Sequence, residues 1–231
     1  MEKINTVNYT VLAAAFILLI LTQVQISTVN ANVLTLNNAL GIKSVSLSKD
    51  LKNLNLDHIK STGHALAALF PVENIKTSQD ALDIVISQGT PDYGSALGIT
   101  FDDPVQSLDK LAKLYYALKP DIQKNDPATW QRYMNLATKP VGISCEYCCG
   151  VGPVGITKAG ELSCGCKHNP AIHALTLWLM KNTEYSDAEI LKEALKWKAL
   201  WFPKNMVELA LQVAGGDTSS LDNLPGMVGG C

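Results

Sequence analysis

The sequence predicts a mainly α-helical domain bearing a small cysteine-rich β-hairpin knuckle. Three observations point there. Apolar residues recur at helical spacing over most of the second half of the chain. The pairs Asp103-Pro104, Asp126-Pro127 and Asn169-Pro170 mark helix starts, because proline at the first helical position lacks an N–H that would have had no partner there. Between the second and third of these pairs lie five of the six cysteines, around a stretch patterned as a hairpin.

The N-terminus comes first. Tyr9 to Leu21 is an apolar run behind a short polar segment containing Lys3, and no charge follows until Lys43. A full membrane span needs ~20 apolar residues, so the run itself fits a secretory signal, with Val29-Asn-Ala31 as a cleavage region. Val24, Ile26 and Val29 extend it enough for an uncleaved anchor. Residues 1–31 are therefore expected to be a signal peptide or a membrane anchor, and the rest of the chain to lie outside the cytoplasm.

Residues 32–216 form the expected helical domain. Leu51, Leu54 and Ile59 fit a helix after Ser48, and His64 to Phe70 fits another that stops before Pro71. Ser78 is placed to cap a helix presenting Ala81, Leu82, Val85 and Ile86, with Gly89 to end it. Pro104 to about Leu118 repeats Val105, Leu108, Leu111, Ala112, Tyr115 and Leu118 at helical spacing, and a second helix runs from Pro127 towards Leu136. Pro170 to Met180 is apolar on nearly every side and is expected at the centre of the core. Ser186 and Glu189 form a capping box for a helix burying Ile190, Ala194, Trp197 and Trp201, with Lys192, Glu193, Lys196 and Lys198 on the wet face until Pro203 ends it. A last helix covers Met206 to Val213, and residues 217–231 are a flexible tail ending in Cys231.

Composition narrows the function classes. With 231 residues, 47% hydrophobic and 17% charged, the chain has enough material for one domain with a real core. A net charge of -2, the single arginine Arg132 and the lack of any basic run exclude a nucleic-acid partner. Gly150 to Gly155 satisfies G-x-G-x-x-G, but cysteines precede it and Pro153 interrupts it, so it is no dinucleotide fingerprint. Asp103 of the Asp102-Asp103 pair is explained as a helix cap. Signatures of P-loops, zinc proteases, serine hydrolases and haem attachment are absent from the sequence.

What remains is the segment 140–168. It holds Cys145-Glu-Tyr-Cys148-Cys149-Gly150, a hairpin from Val154 to Ser163 turning at Lys158-Ala-Gly160, then Cys164-Gly-Cys166-Lys-His168. Thiolate and neutral imidazole are the ligands that soft and borderline metals select. Cys145-x-x-Cys148 and Cys164-x-Cys166 on the two sides of a hairpin would bring four sulfurs to one end, with Cys149 and the terminal Cys231 pairing or completing the coordination. His168 is a candidate ligand or supporting donor; His173, a turn into an apolar helix, is more ordinary, and His58 and His64 lie away from the cysteines.

The motifs CEYCCG and CGCKHN, with the later YSDAEILKEALKWKALWFP, resemble a group of uncharacterised prokaryotic proteins with a CxxCCG…CGCxH core followed by a helix ending at an aromatic-Pro pair. The resemblance spans Cys145 to Pro203, implies that the cluster and the two helices behind it are one module, and brings no catalytic role.

Three uses of the thiols stand open. The first is an exported, membrane-anchored metal-binding protein with ligands among Cys145, Cys148, Cys149, Cys164, Cys166, His168 and Cys231, the metal being structural zinc, or iron-sulfur or copper for electron transfer or metal handling. The second is a disulfide-stapled module binding an extracellular protein, since an oxidising compartment lets disulfides persist. The third is a thiol-disulfide oxidoreductase with a redox partner, using Cys164 and Cys166 next to a helix start that lowers thiol pKa.

Overall fold

The structure is a computed structural model that describes residues 51–215 and 227–229. Residues 1–31, expected to be a signal peptide or anchor, residues 32–50 and most of the tail, Cys231 included, lie outside the described residues. Within them the chain is mainly helical, with nine α-helices and no strand. These are α1 (Thr62–Leu69), α2 (Ser78–Val85), α3 (Gly94–Leu97), α4 (Pro104–Asn125), α5 (Pro127–Ala137), α6 (Glu146–Cys149), α7 (His168–Asn182), α8 (Asp187–Trp201) and α9 (Pro203–Ala214). Among the described residues no helix is long and apolar enough to cross a membrane.

Side-chain caps set several of these boundaries. Asp103 accepts from the Gln106 N–H at 3.0 Å and Asp126 from that of Thr129 at 3.1 Å, satisfying N–H groups that a helix start leaves open. Ser186 and Glu189 make the reciprocal box at the head of α8. For α2 the cap is Thr77, paired with Asp80, one residue ahead of the expected Ser78. α4 runs beyond Leu118 and through Pro120. Buried Ile122 and the ion pair of Asp121 with Lys181 on α7, 2.6 Å long, hold the added turns against the body.

α7 is the central helix, buried from His168 through Leu177, and it packs most extensively against α4 and then against α8 and α5. This is the consequence of its all-round apolar surface. Trp197 and Trp201 of α8 are fully enclosed, and the Trp197 indole N–H donates to Tyr93 Oη at 2.9 Å, which donates in turn to Glu193 at 2.9 Å.

Several expectations are corrected. The hairpin is not a strand pair: Ile156 and Leu162 form one isolated antiparallel bridge, and Ile143 and Val154 one parallel bridge. The ladder does not extend because the Gly155 N–H donates to the Ile143 carbonyl at 3.2 Å instead of returning to Ser163, and Pro153 beyond it lacks an N–H. Leu51–Asn53 is a single 3-10 turn, not a helix. Asn169 is not a cap, since α7 already begins at His168. Pro203 opens α9 after Phe202. Lys198, expected on the wet face of α8, is completely buried.

Candidate metal centre

The cysteine loop, residues 139–167, is tied to the helices by polar contacts from below. Asn169, in the first turn of α7, donates from Nδ2 to the carbonyls of Gly155 at 2.8 Å and Cys164 at 3.4 Å. Ser144 Oγ donates to the Gly152 carbonyl at 2.7 Å, and the Gly142 N–H donates to the Pro153 carbonyl at 3.1 Å. From α8, Lys198 Nζ donates to the Gly142 carbonyl at 3.0 Å and reaches Glu146 Oε2 at 3.1 Å. Thr62 of α1 bonds the same carboxylate oxygen at 2.9 Å.

Within this frame the CEYCC run folds into the single turn α6, with Cys145 as its N-terminal flank and Gly150, at φ 65°, as the left-handed residue that closes it. Residues three and four apart on a helical turn are neighbours, and the two directions differ by about 100°. Cys149 therefore follows Cys145, while Cys148 turns towards Cys166 and His168, its sulfur still 3.8 Å from that of Cys149.

Two ligand sets result. Cys145, Cys149, Cys164 and Cys166 bring their sulfurs within 4.8 Å of one another, three of the residues being buried and Cys149 exposed. Cys148, Cys166 and His168 bring two sulfurs and a ring nitrogen equally close. The four-sulfur set thus contains Cys149 where the C-x-x-C spacing points to Cys148. Within it Cys149 and Cys164, 15 residues apart with Cα atoms 6.6 Å apart, meet as a disulfide pair. Cys166 and Cys145 lie with sulfurs 3.1 Å apart. The dithiol expected at Cys164 and Cys166 is accordingly divided between two partners. His173 joins neither set; its Nδ1 meets Tyr133 Oη at 3.0 Å. Cys231 lies outside the described residues.

The electrostatics favour thiolate at one position of the close pair. The hydrogen bond shared with Cys145 pulls Cys166 well below the usual thiol range, against desolvation, and the adjacent His168 ring and Asn169 backbone assist. Cys145 is driven far upward by the same bond, by burial and by the charges of Cys166 and Cys148. Two thiols this close share one proton, and a cation in their midst would take both as thiolates.

Two participants escape the sequence reading. Lys198 carries a signal that could have found it, since Leu191, Leu195, Lys198 and Phe202 fall in one row at helical spacing, so a lysine interrupts an apolar stripe. Burial pushes its ammonium down to about 8 against the opposing pull of Glu146. Asn169 has no such signal, because an amide before proline is equally a helix cap. A broad open groove between Gln79, Leu82, Ile86, Phe101 and Lys196 includes no cysteine. No family model, curated protein or solved structure matches the chain.

Proposed function

We propose that this is an exported, membrane-anchored metal-binding protein whose centre is a single ion held by Cys145, Cys149, Cys164 and Cys166. The observation behind the reading is the convergence of those four sulfurs within 4.8 Å. A tetrahedral ion with metal–sulfur bonds of about 2.3 Å requires sulfurs about 3.8 Å apart, which small side-chain shifts supply. A cluster of several metals spreads its terminal thiolates further, because each is carried by a different metal atom, so one zinc or one iron ion suits the site better than iron-sulfur. Zinc would make the module structural; iron would let it pass single electrons.

The surroundings support a stable centre. Lys198 places a buried positive charge beside the thiolates, offsetting the negative charge of a divalent ion bound to four of them. Phe202 lies 4.8 Å from the His168 ring and 5.6 Å from Tyr147 between ring centroids, so the loop, α7 and the end of α8 pack as one module. Export and anchoring rest on the apolar run from Tyr9 to Leu21.

A second reading has its own observation, the pairing of Cys149 with Cys164. Bridged, these two cannot both be ligands, and the loop becomes a disulfide staple in a binding module. Metal analysis of the full chain, purified in detergent without air or chelators, with a thiol count under denaturing conditions, separates the two. Bound zinc or iron with all six thiols free is the expected result. No metal and few free thiols would replace it with the staple.

A further inference from the structure

The geometry points to a second cation seat formed by Cys148, Cys166 and His168, beside the four-sulfur seat and sharing the Cys166 thiolate with it. The inference goes beyond the four-sulfur reading, since its ligand set needs neither Cys149 nor Cys164.

The imidazole is the informative member. His168 is fully buried, and its Nε2 lies 2.8 Å from the carbonyl oxygen of Val228. A carbonyl only accepts, so in the neutral ring the hydrogen sits on Nε2 and the lone pair on Nδ1. That Nδ1 is buried with no hydrogen-bond partner, an arrangement folded proteins rarely leave in place. A ring nitrogen of His168 shares a 4.8 Å sphere with the sulfurs of Cys148 and Cys166. Donation of the other ring nitrogen to a backbone carbonyl is how metal-bound histidines are oriented.

The supporting contacts hold that orientation. The Val228 N–H donates to the Trp201 carbonyl at 2.8 Å, so residues 227–229 strap the end of α8 to His168. The aromatic rings of Trp201 and Phe202 stand 5.9 Å and 4.8 Å from the imidazole and fix its plane. Gly229, at φ 93°, lets the strap pass Leu108, whose Cδ2 would lie 2.6 Å from any added Cβ.

Two thiolates and one imidazole select zinc and its borderline neighbours. Three protein ligands leave one position of a tetrahedron for water or an exogenous ligand, as in zinc sites that do chemistry rather than hold a fold. Part-exposed Cys148 marks the side open to that ligand. A thiolate has lone pairs enough to bridge two ions, so both seats can fill together through Cys166.

The test is a Co2+ titration of the full chain, reduced, stripped of metal and kept without air, reading bound ions per chain and the thiolate-to-cobalt absorption, with far-UV circular dichroism to confirm folding of each variant. Two ions per chain are expected in the parent, one of them lost in Cys148→Ser and in His168→Gln and the other lost in Cys149→Ser. One ion that Cys149→Ser loses and both Cys148→Ser and His168→Gln keep overturns the second seat alone. One ion that Cys148→Ser and His168→Gln lose and Cys149→Ser keeps overturns the four-sulfur reading and upholds the second seat. Cys148 is only part-buried, so its serine variant decides the matter if His168→Gln fails to fold.

Discussion

Lys198 Nζ lies 3.1 Å from Glu146 Oε2, and the lysine has no exposed surface at all. Thr62 Oγ1 sits between them, bonding the carboxylate at 2.9 Å and the ammonium at 3.3 Å, and the Tyr147 ring centroid is 5.3 Å from Nζ. This polar knot joins α1, the cysteine loop and α8 at the residue next to Cys145. Removing one partner of a buried pair strands the other charge, which costs about 3–5 kcal/mol, whereas replacing both is often neutral. Glu146→Gln should therefore destabilise the chain by about 3 kcal/mol, and Lys198→Met combined with it should recover most of the loss. Urea unfolding of the two single variants and the double one measures the coupling, and strictly additive losses would show that the pair is not a unit.

Gly155 is required for a different reason, the closeness of its neighbours. A Cβ there would press into Asn169 Oδ1, with His173 Nε2 at 2.5 Å and the Ile143 carbonyl at 2.9 Å. Gly155→Ala should cost about 1–3 kcal/mol through overpacking and should loosen the bond from Asn169 to the Gly155 carbonyl, weakening metal retention with it. Gly165, between two candidate ligands, has no atom within 4 Å of an added Cβ. Gly165→Ala is the matched control and should leave the melting temperature and the bound metal unchanged; equal losses in both would mean that any side chain in this loop is harmful.

How Cys145, Cys149, Cys164 and Cys166 pair on oxidation follows from which sulfurs meet. With the metal removed and diamide as oxidant, Cys149 should join Cys164 and Cys145 should join Cys166, each pair giving up two electrons and two protons to the reagent. Peptide mapping by mass spectrometry without reduction checks this. A dominant Cys164 to Cys166 link would restore the oxidoreductase reading of that dithiol.

The helices were legible because their signals are local. Asp103, Asp126 and Ser186 each cap the helix that their neighbours announce, and a cap needs only the next three residues to be recognised. The location of the chemistry was legible too, since thiols at that density have few other uses. What escaped depended on the partner across space. Asn169 before proline has the form of a cap, but its amide serves Gly155 and Cys164 instead. Lys198 interrupts an apolar stripe in the sequence, but its partner Glu146 is set only by the fold. The choice of Cys149 over Cys148 for the four-sulfur set rests on one helical turn too short to leave a periodic trace.

His173 provides the clearest pH dependence of stability. Its ring is fully buried between Tyr115 and Tyr133, and desolvation drives its pKa down from 6.5 to about 3. In the unfolded chain the ring takes up a proton as the pH falls below 6.5, while the native ring resists protonation until about 3. The unfolded state binds more protons in that window, so stability is full above pH 6.5 and declines as the pH falls, by up to about 1.4 kcal/mol per pH unit from this group. His173→Asn keeps an acceptor for the Tyr133 hydroxyl but cannot titrate. Measured by urea unfolding of metal-free, reduced protein between pH 4 and pH 6.5, the variant should be less stable than the parent at the upper end and show a shallower slope. Parallel slopes for the two proteins would mean that the buried ring takes up its proton in the native state as readily as in the unfolded chain.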